Sequence, residues 1–230
     1  MLPLPSRPTP AVNLQDMTTL FLDMDGTLLD LNFDQVFWNE HLPRRYADIH
    51  GVESETAAAH VLGHLEEKQG TLNWYCTDFW SDTFQLDIMA LKRELTHLVQ
   101  FRPGTEKFLA HVRDSHHHVV LLTNAHPDVL ALKEELTGLL SFIETSFTSH
   151  DFGSPKEHRA FWTSLAEHVD YDPETTVMID DSLSVLAAAR AHGPRYQVRI
   201  TQPDSAREPV HPGEYLGVNT LDELLPGGTP

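Results

Sequence analysis

Three short apolar runs in this chain each end on polar side chains, and helical patterns separate them. "TTLFLDM" closes near Asp23, "HVVLLTN" closes on Thr123 and Asn124, and "TTVMID" closes on Asp180. A run this short and this apolar suits a strand covered on both faces, which is the environment of a parallel sheet. The stretches between the runs are helical. "GTEKFLAHVRD" carries Phe108, Leu109 and Val112 at helical spacing. "PDVLALKEELTG" places Pro127 at a first helical position, turns Val129, Leu132 and Leu136 inward, and stops at Gly138. "KEHRAFWTSLAEHV" repeats the pattern through Phe161, Leu165 and Val169, starting at Lys156, and "SLSVLAAARAHG" ends at Gly193. "YQVRI" adds another strand. This alternation predicts an α/β, Rossmann-like fold, a parallel sheet with helices on both faces.

Between residues 31 and 100 the texture changes to helix formers and scattered aromatics with no strand pattern. "ETAAAHVLGHLEEK" and "LDIMALKRELTHLV" read as helices, and "FRPGTEKFL" as the return to the core. The expected division is a flexible proline-rich tail over 1–12, a core made of 13–30 and 101–230, and a helical insert over 31–100.

In open α/β sheets the residues that follow the strands converge on one mouth. Asp23, Asp25, Thr123, Asn124, Asp180 and Asp181 would meet there, joined by Lys156 from "SPKE". Side chains two apart on an extended segment point the same way, so Asp23 and Asp25 should share that mouth. Adjacent carboxylates removed from water repel, and a hard divalent cation relieves them. Mg²⁺ takes oxygen ligands, commonly one or two carboxylates plus a substrate phosphate. Lys156, Thr123 and Asn124 can neutralise and orient a phosphoryl group. One carboxylate can attack phosphorus while the other carries the leaving group's proton.

"DMDGT", "LLTN", "SPK" and "MIDDS", in this order, resemble the four motifs of the haloacid dehalogenase superfamily, in its phosphatase branch. The resemblance spans about Thr19 to Ile200. It implies that Asp23 is the nucleophile and that Asp25 is the general acid/base, lending its backbone carbonyl to Mg²⁺. Thr27 would orient Asp25, Thr123 and Asn124 would hold the phosphoryl group, and Lys156 would balance charge. Asp180 would complete the metal site with support from Asp181, and the insert would be a cap closing over it. Dehalogenase members lack the second acid of the first motif, so Asp25 favours phosphate chemistry.

A narrower likeness, through "LLDLNFDQVFW", "GTLNWYCTDFWS", "LLTNAHPDVLALK" and "FGSPKE", is to bacterial nucleotidases acting on GMP and IMP. It implies a purine 5′-nucleotidase, with Trp74 or Tyr75 as a candidate base contact. The alternatives are a sugar-phosphate or other small-monoester phosphatase, a phosphomutase using the same intermediate, and a receiver-like phosphoaspartyl signalling domain.

Other features have plainer readings. Core packing is the default for Trp74, Tyr75, Phe79 and Trp80. His60 and His64 stand four apart, but the chain has 15 histidines and "HVLGH" lacks the glutamate of a zinc protease. "HHH" at 116–118 reads as a loop entering a strand. Cys76, the single cysteine, reads as a small buried side chain and fits a reducing compartment. A net charge of −18 argues against a broad grip on nucleic acid or anionic lipid. No stretch approaches the roughly 20 apolar residues of a membrane span. The expectation is a soluble cytoplasmic protein with a small nucleoside monophosphate as its partner.

Overall fold

The computed structural model describes residues 12–227, so most of the expected proline-rich tail lies outside the described residues. The chain enters β1 (Thr19–Leu22) and passes through six helices: α1 (Asn32–Val36), α2 (Leu42–His50), α3 (Ser54–Lys68), α4 (Leu72–Tyr75), α5 (Thr77–Phe84) and α6 (Ile88–Arg93). It returns through α7 (Thr105–Arg113) to β2 (His118–Thr123), α8 (Pro127–Thr137), β3 (Thr145–Thr148), α9 (Arg159–His168) and β4 (Thr176–Asp180). It finishes with α10 (Leu183–His192), β5 (Tyr196–Ile200) and β6 (Leu216–Val218).

All strand pairs are parallel, in the order β3-β2-β1-β4-β5-β6. The chain moves outward from β1 to β2 and β3, then crosses to β4 on the other side. The order therefore reverses beside β1, which is where a ligand crevice opens in such sheets. Alternation along β1 sends Leu20 and Leu22 to one face and Phe21 to the other. The first face packs on Phe108, Leu109 and Val112 of α7, and the second on Phe161, Trp162 and Leu165 of α9 and Leu186 of α10. Each such fully buried side chain contributes about 1.5–3 kcal/mol by leaving water.

The helices α1 to α6 carry a second core, centred on Phe33, Phe37, Trp80 and Phe84 and joined by Leu132 of α8, with Trp80 and Phe84 stacked at 5.3 Å. α1 runs into α2 through a wider helical turn, Phe37–His41. The two connections to the sheet lie side by side: Leu29 bridges Phe101 antiparallel, and the Asp30 amide donates to the Gln100 carbonyl at 3.0 Å. Arg102, buried, donates to the carbonyls of Thr27, Gln202 and Asn219, which fastens this neck to the loops after β1, β5 and β6.

The four strands expected from sequence are β1, β2, β4 and β5. Three local expectations change. Lys156 does not open a helix; it sits in a turn three residues before α9. Leu136 does not face inward but is 42% exposed, because α8 turns Val129 and Leu132 toward the interior and its last turn runs past the core. The helix expected over 86–99 is broken, with α6 stopping at Arg93 and a single tight turn following at Thr96–Leu98.

Candidate active site

β1 delivers Asp23 directly beyond its last residue, beside the end of β4. The amide of Asp23 still donates to the Ile179 carbonyl at 3.0 Å, so its carboxylate is held by sheet geometry. The chain then turns at Gly26, whose φ of +84° suits glycine and whose missing Cβ would meet Asp181 at 2.8 Å. That close approach brings the loop after β1 against the loop after β4.

Lys156 occupies the centre. Its Nζ donates to Oδ1 of Asp23 at 2.5 Å, Oδ2 of Asp180 at 2.8 Å and the Leu122 carbonyl at 2.9 Å. The three acceptors come from β1, β4 and β2, so one buried ammonium joins the ends of three strands. Asp180 is fixed further by the Ser182 amide, which donates to its Oδ1 at 2.8 Å. Carboxylate oxygens of Asp23, Asp180 and Asp181 lie within 4.8 Å of one another. Burial, opposed by Lys156 and reinforced by the charge of Asp180, pushes Asp23 up to about 7. Burial likewise raises Asp180, and burial with the neighbouring acids raises Asp181 well above the carboxylate range. One lysine is too little charge for three acids. An all-oxygen donor set short of positive charge fits Mg²⁺.

Asp25 is held separately. Lys133 of α8 donates to its Oδ1 at 2.5 Å and to Oδ2 of Asp34 on α1 at 2.6 Å. Asp34 also accepts from Lys92 of α6 at 2.8 Å, and Lys92 lies over the rings of Phe33, Phe37 and Trp38. Burial pushes Asp25 up to about 6 against the pull of Lys133. Burial also acts upward on Asp34, but its two lysines outweigh it and hold it well below the usual range. Asp25 thus has one lysine to set against its burial, and Asp34 has two.

Thr123 and Asn124 stand at the end of β2. Neither caps α8; His126 does, with its ring accepting from the Asp128 amide. Thr123 Oγ1 accepts from the Ala125 amide at 3.0 Å. Asn124 accepts from the Lys156 amide at 2.9 Å and donates to Glu157 at 2.9 Å, so it orders the turn that carries the lysine. Thr27 departs from expectation: its hydroxyl is buried and has no hydrogen-bond partner among the described residues, and the group that holds Asp25 is Lys133.

Asp23, Asp25, Thr123, Asn124, Lys156 and Asp180 line a cavity of about 480 Å³ between the sheet and the inserted helices, a volume that suits a small-molecule ligand. Trp74 and Tyr75 both reach it. The Tyr75 hydroxyl donates to Glu157 at 2.7 Å, a direct link from insert to core, while Trp80 is fully buried in the insert.

The chain matches the family model described as haloacid dehalogenase-like hydrolase over residues 17–193. The chain belongs to this family. A GMP/IMP nucleotidase of Escherichia coli, YrfG, is 39% identical over 212 residues, covering 92% of this chain and 96% of that protein. Among solved structures, a haloacid dehalogenase phosphatase from Thermococcus onnurineus superposes with a TM-score of 0.75 at 24% identity, covering 90% of this chain and 96% of that one. A β-phosphoglucomutase-like protein from Thermotoga maritima does so with a TM-score of 0.64 at 17% identity, over 91% and 97%. At these identities the two structures speak to the fold. In this haloacid dehalogenase-like hydrolase, Lys133, Asp34, Lys92 and Glu157 were not singled out from sequence. Each looks like an ordinary charged residue on a helix or in a turn, and only the burial of Lys133 and Lys92 sets them apart.

Proposed function

We propose that the protein hydrolyses phosphomonoesters through an aspartyl-phosphate intermediate, with a purine nucleoside 5′-monophosphate, GMP or IMP, as substrate. The observation that carries the chemistry is the arrangement of Asp23, Asp180 and Asp181 around Lys156 with Asp25 in the same cavity. The substrate class rests on the identity with the E. coli nucleotidase.

Asp23 attacks phosphorus in line with the departing 5′ oxygen, and Asp25 gives that oxygen its proton. The nucleoside leaves. Asp25 then takes a proton from water, which attacks the phosphoaspartate, releases phosphate and restores Asp23. Its pKa of about 6 suits both the acid and the base step near neutrality. Thr123 and Asn124 orient the phosphoryl oxygens at the end of β2, and Lys156 offsets the charge that builds around Asp23. Asp23, Asp180 and Asp181 would hold Mg²⁺, with the Asp25 carbonyl as a further donor. The ion supplies electrostatic stabilisation of the phosphoryl group.

Residues 31–100 act as the cap over this chemistry, and the neck at Leu29 and Phe101 is its attachment. Trp74 offers its ring to the purine. A panel of GMP, IMP, AMP, pyrimidine nucleotides and sugar phosphates, assayed for released phosphate in Mg²⁺, tests the reading. A preference for GMP and IMP is expected. Equal rates across the panel would overturn the substrate assignment, and transfer to a sugar without phosphate release would overturn hydrolysis.

A further inference from the structure

Outside the acid cluster, a second group of metal-ligating atoms gathers where the insert meets the sheet. Cys76 precedes α5, His126 caps α8 after β2, and His150 follows β3; one donor atom from each lies within 4.8 Å of the others. Cys76 is not the small buried thiol expected from sequence. It is half-buried, and its Sγ accepts from the Phe79 amide at 3.4 Å. The ring nitrogens of His126 have divided tasks. Nδ1 accepts from the helix amide of Asp128, while Nε2 faces Asp78 Oδ2 at 3.7 Å, beyond a hydrogen bond. His150 uses Nδ1 toward Ser149, and its Nε2 is buried with no hydrogen-bond partner among the described residues. Buried nitrogens of this kind ordinarily have a partner.

We infer that Cys76, His126 and His150, with Asp78 as fourth ligand, form a Zn²⁺ site that fastens α5 of the insert to the loops after β2 and β3. One thiolate, two imidazoles and a carboxylate suit tetrahedral zinc, and sulfur selects against Mg²⁺. Bonds of about 2.0–2.3 Å separate ligand atoms by about 3.3–3.8 Å, so the donors of Cys76, His126 and His150 need to close by at most about an ångström, and Asp78 Oδ2 is already 3.7 Å from His126 Nε2. The ion gives Nε2 of His150 its missing partner. Because His126 also lines the active-site cavity, the ion would hold the insert against the rim of that cavity.

Cobalt reports the site directly. Cys76 is the only cysteine in the chain, so a thiolate-to-cobalt charge-transfer band has one source. Titrating the metal-free, reduced full chain with Co²⁺ is expected to raise this band together with tetrahedral d–d absorption, both saturating as the Cys76 site fills, whereas Co²⁺ at the acid cluster gives no thiolate band. Zn²⁺ should displace both, and excess Mg²⁺ should displace neither. Cys76→Ser should lose the band, and His150→Ala should weaken Co²⁺ binding at least ten-fold. A wild-type protein that shows no band at saturating Co²⁺ overturns the site. So does a band that His150→Ala leaves unchanged, since the thiol would then be binding cobalt without its histidine partners.

Discussion

Lys133 on α8 and Asp25 after β1 form an ion pair of 2.5 Å, and the same ammonium holds Asp34 of the insert at 2.6 Å. A cation from the core therefore ties the proposed acid/base to the proposed cap. Removing it leaves two carboxylates without their common partner. Lys133→Met is expected to destabilise the protein by about 3–5 kcal/mol, the usual cost of breaking a buried pair on one side. It should also raise the pKa of Asp25 above its value of about 6, since the neighbouring positive charge is what opposes burial. The basic limb of kcat/KM reports Asp25 in its acid form, so it should move to higher pH. An unmoved limb, measured below the variant's unfolding temperature, would show that Lys133 does not tune this carboxylate.

Asp23→Asn removes the nucleophile while keeping its shape. Turnover of GMP in Mg²⁺ is expected to fall by a factor on the order of 10⁴ or more, as for removal of other catalytic nucleophiles. Near wild-type turnover by the folded variant would remove Asp23 from that role.

The same variant tests the electrostatics. A carboxyl raised from 3.8 to about 7 in the fold binds a proton that the unfolded chain lacks between those pH values. Its contribution is fully present below pH 3.8 and is lost as pH rises through about 7. His41, His60, His117 and His150 are lowered by burial and act oppositely below pH 6.5, so the difference between wild type and variant is the quantity to measure. Without divalent metal, the stability of wild type relative to Asp23→Asn should increase from pH 8 to pH 5. A difference that is flat or opposite in sign, from denaturant melts at each pH, would rule out a strongly raised Asp23.

Trp74→Ala tests recognition of the base. Stacking of a base on an aromatic ring is worth about 1–3 kcal/mol, which predicts a KM for GMP at least about five-fold higher with kcat little changed. A small phosphate ester without a ring should be unaffected. If both substrates lose equally, Trp74 supports the insert and does not touch the purine.

Much of the fold was legible because β1, β2 and β4 are covered on both faces and so carry unbroken apolar runs. β3, "TSFT", and β6, "LGV", were not legible. They are the two edge strands, short and half-exposed, with little apolar surface to declare them. That Asp23, Asp25, Thr123 and Asp180 gather at one mouth could be read because each follows or ends a readable strand, and Lys156 joined them by its company in the chain. Lys133 and Asp34 could not. Their pairing depends on how α1 of the insert lands on α8, and a charged residue on an amphipathic helix usually faces solvent.

Mg²⁺ bound at the acid cluster should stabilise the folded protein. Three carboxyl groups face each other with one lysine between them, so a cation bound there relieves repulsion in the folded state alone. At 100 times its dissociation constant Mg²⁺ should add about 2.7 kcal/mol. For a chain of this size that corresponds to a rise in Tm of about 5–10 °C. Lowering the pH protonates Asp23, Asp180 and Asp181, whose pKa values are all raised, and protons then compete with the ion. The Mg²⁺-induced shift should therefore be larger at pH 8 than at pH 5. Asp180→Asn should reduce it sharply at both. Thermal melts with Mg²⁺ and with chelator separate these cases, and a shift that Asp180→Asn leaves intact would place the ion elsewhere.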